Sequence, residues 1–328
     1  MPTIQQSASS DSAGHLQHLP ISIFSMIMGS VGLTLSWQKA HETLGAPLLV
    51  SQVLLVMAAC LMLMLTGSYL LKILRYPQAV LAEWSHPIKI SFFPAFSISL
   101  VLFSTATLPV SQTLSHILWV MGSFMHLLFT LHVMTQWIHH TRFQVVHSTP
   151  AWFIPVVGNI LIPIAGVHHG YVELSWFFFA IGLVYWIILK TLIFNRVLFH
   201  DPLPQKLLPT LFILIAPPAV GFIAYTQLNG GAIDGFSRIL FYASLFLVLL
   251  LLTQWRYFIR LPFFISWWAY SFPLAAFSIA TQIMHERIGG NVFSVLAWAS
   301  LALISTLVTV LMLRTLKAAI SGQLFQPD

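Results

Sequence analysis

Apolar runs of membrane-spanning length alternate with short polar connectors along almost the whole chain. A bilayer core of about 30 Å needs about 20 residues of helix to cross it. Runs of that order fall near 20–37, 47–73, 90–107, 110–138, 151–166, 171–198, 207–226, 236–258, 264–284 and 291–314. The pattern predicts an all-α integral membrane domain of ten transmembrane helices over 20–320, between polar tails at 1–19 and 321–328. The first tail is rich in Ser and Gln and carries no Lys or Arg, so it lacks the basic n-region of a secretory leader. It is expected to be a disordered cytoplasmic segment.

Prolines divide the ten runs into two kinds. Run one opens on Pro20, and runs three, five, seven and nine hold Pro94, Pro155 with Pro163, Pro209 with Pro217 and Pro218, and Pro273. The even-numbered runs have no interior proline. Proline removes a helical hydrogen bond and clashes with the preceding turn, so it bends or breaks a helix. Pro94, Pro155, Pro217 and Pro273 recur at a spacing of roughly sixty residues, a fixed-period self-similarity. The expectation is a quasi-fivefold ring of five helical hairpins, each with one bent and one straight helix. Bent helices suit the inside, where neighbours or water satisfy freed backbone groups. Gly29, Ser97, Gly158, Asn159, Gly221 and Ser271 on those runs then face inward. A bundle of this kind encloses either a central channel or a packed centre, and the pattern alone allows both.

Composition fixes the class. Hydrophobic residues make up 58% of the 328, charged residues only 7%, and the mean hydropathy is +0.87. A soluble domain cannot hide that much apolar surface. The pI near 9.6 comes from basic residues placed between apolar runs, as topology signals are. With both ends on one side, that side collects eleven Lys and Arg, among them Lys72, Lys89, Lys206, Arg256 and Arg260. The other side holds three: Lys39, Arg238 and Arg287. The positive-inside rule therefore puts both termini in the cytoplasm of a cell with an inner membrane. The lone Cys60, inside an apolar run, is expected to be a small buried hydrophobe.

Chemistry is sparse within the runs. The helix interiors lack Asp and Glu, which argues against a cation pathway or an ion-coupled pump. Glu83 falls in a loop. His126 and His132 on run four are six residues apart and point to different helix faces, and the His139-His140 and His168-His169 pairs lie in loops. No metal site, haem or other cofactor follows from them. No nucleophile–base pair or phosphate-binding glycine loop is present, so an enzyme is not expected. What remains is a neutral apolar path with basic mouths, for which Lys89, Arg256 and Arg260 are candidates. Lipid-headgroup anchoring is the plainer reading of each of these three taken alone.

One stretch carries a resemblance. Phe263-x-x-x-Trp267-Trp268-Ala269-Tyr270-Ser271-Phe272-Pro273 resembles the ninth-helix motif of the tellurite-resistance/dicarboxylate transporter family, which includes bacterial TehA and the plant guard-cell slow anion channel. Pro20-x-x-x-Phe24-x-x-x-x-Gly29 and Phe92-Phe93-Pro94 match in order, and the likeness covers the whole apolar chain, most of all to bacterial TehA. The resemblance implies a ten-helix bundle whose odd-numbered helices line a central pore. It also implies a homotrimer with one pore per subunit and a phenylalanine that plugs it. Phe263, four residues before Trp267, matches that gating position, with Phe264 beside it. The expected function is a passive channel for small inorganic anions such as chloride and nitrate. An exporter of tellurite or dicarboxylates and a packed membrane scaffold are the rival readings.

Overall fold

Proline sets where each helix of this chain is regular. In the computed structural model, which describes residues 16–323, every element is helical. The long segments are α1 (Ile21–Leu44), α2 (Leu48–Arg75), α3 (Lys89–Thr107), α4 (Gln112–His139), α5 (Pro150–Gly166), α6 (Val172–Phe199), α7 (Gln205–Leu228), α8 (Gly235–Thr253), α9 (265–288) and α10 (Asn291–Ile320). Eight of them are long and apolar enough to cross a membrane. The other two are α5, which is apolar but shorter, and α9, which ends on the polar His285-Glu286-Arg287. A short helix, Pro77–Ser85, follows α2, and Trp255–Ile259 follows α8. Residues 1–15 and 324–328 of the expected tails lie outside the described residues.

Each odd-numbered segment starts as a 3₁₀ helix. These stretches are Ile21–Phe24, Lys89–Phe92, Pro150–Trp152, Gln205–Ile215 and Ile265–Tyr270. In all of them but α1 the α-helix resumes at or close to a proline: Pro94 is the first residue of Pro94–Thr107, and Pro217 and Pro218 sit in the first turn of Ala216–Leu228. A missing N–H costs nothing there, because first-turn amides have no intrahelical acceptor. In α5 a second 3₁₀ turn, Gly158–Leu161, falls between Pro155 and Pro163. The even-numbered segments α2, α4 and α6 instead run as unbroken α-helices of 28 residues each.

Burial follows the same division. The apolar windows of α1, α3 and α7 are 72, 83 and 78% buried, whereas those of α2, α4, α6, α8 and α10 are only 22 to 39% buried. Odd-numbered segments are therefore the interior and even-numbered ones the periphery. Cys60 corrects the expectation made for it: it lies on the exposed face of α2, the side a bilayer would cover. Inside, α1 packs against α3 and α9, α3 against α5, α5 against α7, and α7 against α9. Small residues set these distances, as expected where lipid tails leave van der Waals contact as the main packing force. A Cβ on Gly182 of α6 would come within 2.9 Å of the Ile160 backbone nitrogen of α5.

Glu83 is not a loop carboxylate at the surface. It is buried, 3.1 Å from the buried Lys72 Nζ, and it accepts from Tyr69 Oη at 2.8 Å and from the Ile21 N–H at 3.4 Å. Lys72 also donates to the Leu19 carbonyl at 2.7 Å. The cluster fixes the chain around Pro20 against α2 and the short helix after it.

Candidate functional site

Three cavities follow one another between the odd-numbered segments. The first, of about 310 Å³, lies at the end of the bundle that holds Lys89 and Lys206. The second is a constriction of about 40 Å³, and the third, of about 560 Å³, lies at the opposite end beside Lys39 and Arg287. Their order follows from shared walls. Met28, Ile154 and Ile213 border the first and second, Leu161 and Val220 the second and third. Phe272 borders all three. No residue of α2, α4, α6, α8 or α10 lines any of them.

Helix type sets which side chains face this row. A 3₁₀ helix repeats every three residues and an α-helix every 3.6. On α7 the lining runs through Leu207, Thr210 and Ile213 in the 3₁₀ part, then Pro217, Val220 and Ile223 in the α part. On α9 it runs through Ile265 and Trp268, then Phe272, Ala276, Ile279 and Ile283. Phe272 thus sits just past the 3₁₀-to-α junction, at the narrowest level. The start of α9 is held to α7 by Ser266 Oγ, which donates to the Lys206 carbonyl at 2.6 Å.

The cavities differ in polarity. Lys89, Lys206 and His86 border the first, together with the hydroxyls of Ser22, Ser25, Thr210 and Ser266, and among the described residues no carboxylate borders it. The constriction has no polar side chain in its wall. In the third, positive and negative groups balance: Lys39 pairs with Glu42 at 3.0 Å and with Glu286 at 2.9 Å, and Arg287 is nearby.

Of the residues singled out from the sequence, Pro20, Pro273 and Lys89 border the first cavity, and Pro217 and Gly158 the constriction. Phe263 lines none of the three: it precedes the first helical residue of α9 and packs edge-on against Trp267, with ring centroids 5.7 Å apart. Phe24 is buried between Tyr69 and Phe96. Gly29 packs on Ser271 and Trp268, and Ser97 faces His126 on α4. Pro94, Pro155 and Gly221 border none of the cavities, nor do Arg256 and Arg260; Arg256 stacks over Trp255. Phe272 and Lys206 were not singled out, although the lining stripe on α9 contains the first and that on α7 begins beside the second.

Residues 18–316 match the voltage-dependent anion channel family. The chain belongs to this family. It is 30% identical over 322 residues to the S-type anion channel SLAH3 of Arabidopsis thaliana, covering 95% of this chain and 50% of that protein. It is 26% identical to the tellurite resistance protein TehA homolog of Haemophilus influenzae, over 94% of this chain and 93% of that one. An uncharacterized transporter of Methanocaldococcus jannaschii, MJ0762, is 26% identical over 79% of this chain and 82% of its own. The chain thus spans about half the length of the first plant relative and nearly the full length of the bacterial one.

Proposed function

We propose that this protein is a passive channel for small inorganic anions, chloride and nitrate among them, and that the three cavities are the closed form of its pathway. The observation that carries this reading is the row itself: two chambers joined through an apolar constriction, lined only by the proline-broken segments. The cyclic packing order of α1, α3, α5, α7 and α9 supports a fivefold inner ring, with ten membrane crossings once α5 and α9 are included. The first chamber, whose charged side chains among the described residues are Lys89 and Lys206, favours anions over cations. An apolar waist closed by a bulky ring stops ions sterically and by dewetting. That ring is Phe272 rather than Phe263. The positive-inside rule makes the basic chamber cytoplasmic, in the inner membrane of a cell that has one. Assembly as a homotrimer with one pathway per subunit follows from the family resemblance.

The test is reversal potential in planar bilayers with nitrate, chloride or gluconate on one side. An anion pathway moves the reversal potential with the nitrate or chloride gradient, and gluconate carries little current. A reversal potential that tracks the cation gradient, or saturable exchange with no current, refutes the reading.

A further inference from the structure

The constriction has no polar side chain of its own, yet one polar group stands directly behind its wall. His126 of α4 is fully buried, and Gly158 of α5 borders the constriction. A Cβ on Gly158 would come within 2.7 Å of His126 Nε2 and Cε1. The imidazole therefore occupies the space that a side chain at 158 would need, and it lies against the backbone that forms the wall. Nδ1 of the ring is 2.9 Å from Ser97 Oγ, and Ser97 Oγ is 2.8 Å from the Pro94 carbonyl. The Ser97 hydroxyl has one proton. If it is donated to the Pro94 carbonyl, Ser97 Oγ accepts from Nδ1–H. His126 Nε2 is buried and has no hydrogen-bond partner among the described residues. A buried polar atom left unpaired is costly, so its position calls for a ligand.

We propose that His126 is an anion-recognition residue of the constriction, taking up a proton at Nε2 as a small inorganic anion such as nitrate arrives and releasing it as the anion leaves. This rests on the channel reading above. The proton comes from water in the adjoining chamber and returns to it, and no other bond forms or breaks. The chain Nδ1–H to Ser97 to the Pro94 carbonyl is already oriented to hold an imidazolium. An isolated charge there is too expensive, which couples the proton to the anion. Within the bundle α4 packs on α3 and α5. The only titratable side chain on α3 is Lys89 at its basic end, and α5 has none; on α4 itself the others are His116, His132 and His139. No carboxylate on these elements competes for the imidazolium.

The test is proton uptake by the purified protein in weakly buffered detergent when nitrate replaces gluconate, near pH 6.5. The wild-type chain is expected to take up a measurable fraction of a proton per subunit, and His126→Gln none. Ser97→Ala, which keeps the imidazole but removes its Nδ1 partner, should reduce the uptake at least ~threefold, a loss of the order of one hydrogen bond. It decides the matter if the first variant does not fold. In the Phe272→Ala background, current should rise at least ~threefold from about pH 8 to pH 5.5 and stay flat once His126→Gln is added. Equal proton uptake by wild type and both variants overturns the proposal, whatever the current. Uptake that depends on His126 with no current in any variant upholds it as a binding site and sinks the channel reading instead.

Discussion

Phe272→Ala is the perturbation with the largest expected effect. Phe272 is half-buried and borders all three cavities, so its ring stands where the chambers would otherwise join. With the ring in place the constriction offers about 40 Å³. That is room for no more than a few water molecules, each of which needs ~10–15 Å³ of such space. An anion with even a partial hydration shell does not fit. Conduction in the wild-type chain then depends on a minor conformation with the ring displaced, and minor states a few kcal/mol above the ground state are populated at ~0.1–10%. Truncation to alanine makes the open form permanent, so mean current at fixed voltage should rise by between ~10-fold and ~1,000-fold. Because the ring is only partly packed, the stability cost should be smaller than the ~3–5 kcal/mol of a fully packed core phenylalanine.

The assay is bilayer recording of purified wild type, Phe272→Ala and Phe263→Ala in symmetric nitrate, with size-exclusion profiles to show that each is folded. Phe263→Ala should leave the current near the wild-type level, since its ring meets Trp267 outside the cavities. A folded Phe272→Ala that conducts no more than wild type refutes the argument. So does a Phe263→Ala that conducts as much as Phe272→Ala.

Three further outcomes follow from the packing. Lys72→Met leaves Glu83 buried without its cation and should cost ~3–5 kcal/mol, read as a lowered Tm in detergent, with much of the loss recovered by Lys72→Met/Glu83→Leu. Gly182→Ala forces a Cβ toward the Ile160 backbone and should cost ~1–3 kcal/mol in the same assay, whereas Gly67→Ala, with open space around it, should be near neutral. Asp234, just ahead of α8, accepts from the Ser237 N–H and the Tyr225 hydroxyl, which hold its carboxyl below the usual range. Its contribution is therefore present above the ordinary carboxylate pKa of about 4 and is lost as pH falls through the lower folded value. Asp234→Asn should lower Tm between pH 4 and pH 7, where that contribution is present, and its difference from wild type should shrink as pH falls below 4.

The layout of this bundle is written in features that survive without coordinates. Apolar runs give segment positions, with most starts close and some ends several residues off, because bilayer crossing imposes a length. Prolines separate interior from peripheral segments because only a buried or wetted segment tolerates broken hydrogen bonding. The azimuth of a side chain is harder to read. Phe263 is read as the plug from its place in the ninth-run motif, four residues before Trp267, whereas helical structure begins at Ile265 and its first turns have a 3₁₀ repeat. Phe272 comes after that change of repeat, so a single-period wheel misplaces it. His126 was hidden for another reason. It lies on an unbroken, mostly peripheral helix, and only the absence of a side chain at Gly158, one segment away, brings it to the wall.

The change of helix type also divides the row of cavities along its length. The basic chamber is bordered largely by 3₁₀ turns of α1, α3, α7 and α9, the far chamber by their α-helical halves, and the constriction falls near the junctions. A 3₁₀ helix rises about 2.0 Å per residue against 1.5 Å for an α-helix and has poorer hydrogen-bond geometry. Conversion of one residue at a junction therefore shifts the remainder of the segment by ~0.5 Å and rotates it by ~20°. At Phe272 that rotation swings a ring that already fills the narrowest point. Small repeat changes at the junctions would take the proposed pathway from closed to open without a large rearrangement of the peripheral helices. Pro273, which can donate no hydrogen bond to the Ala269 carbonyl, lowers the cost of such a change where Phe272 is attached.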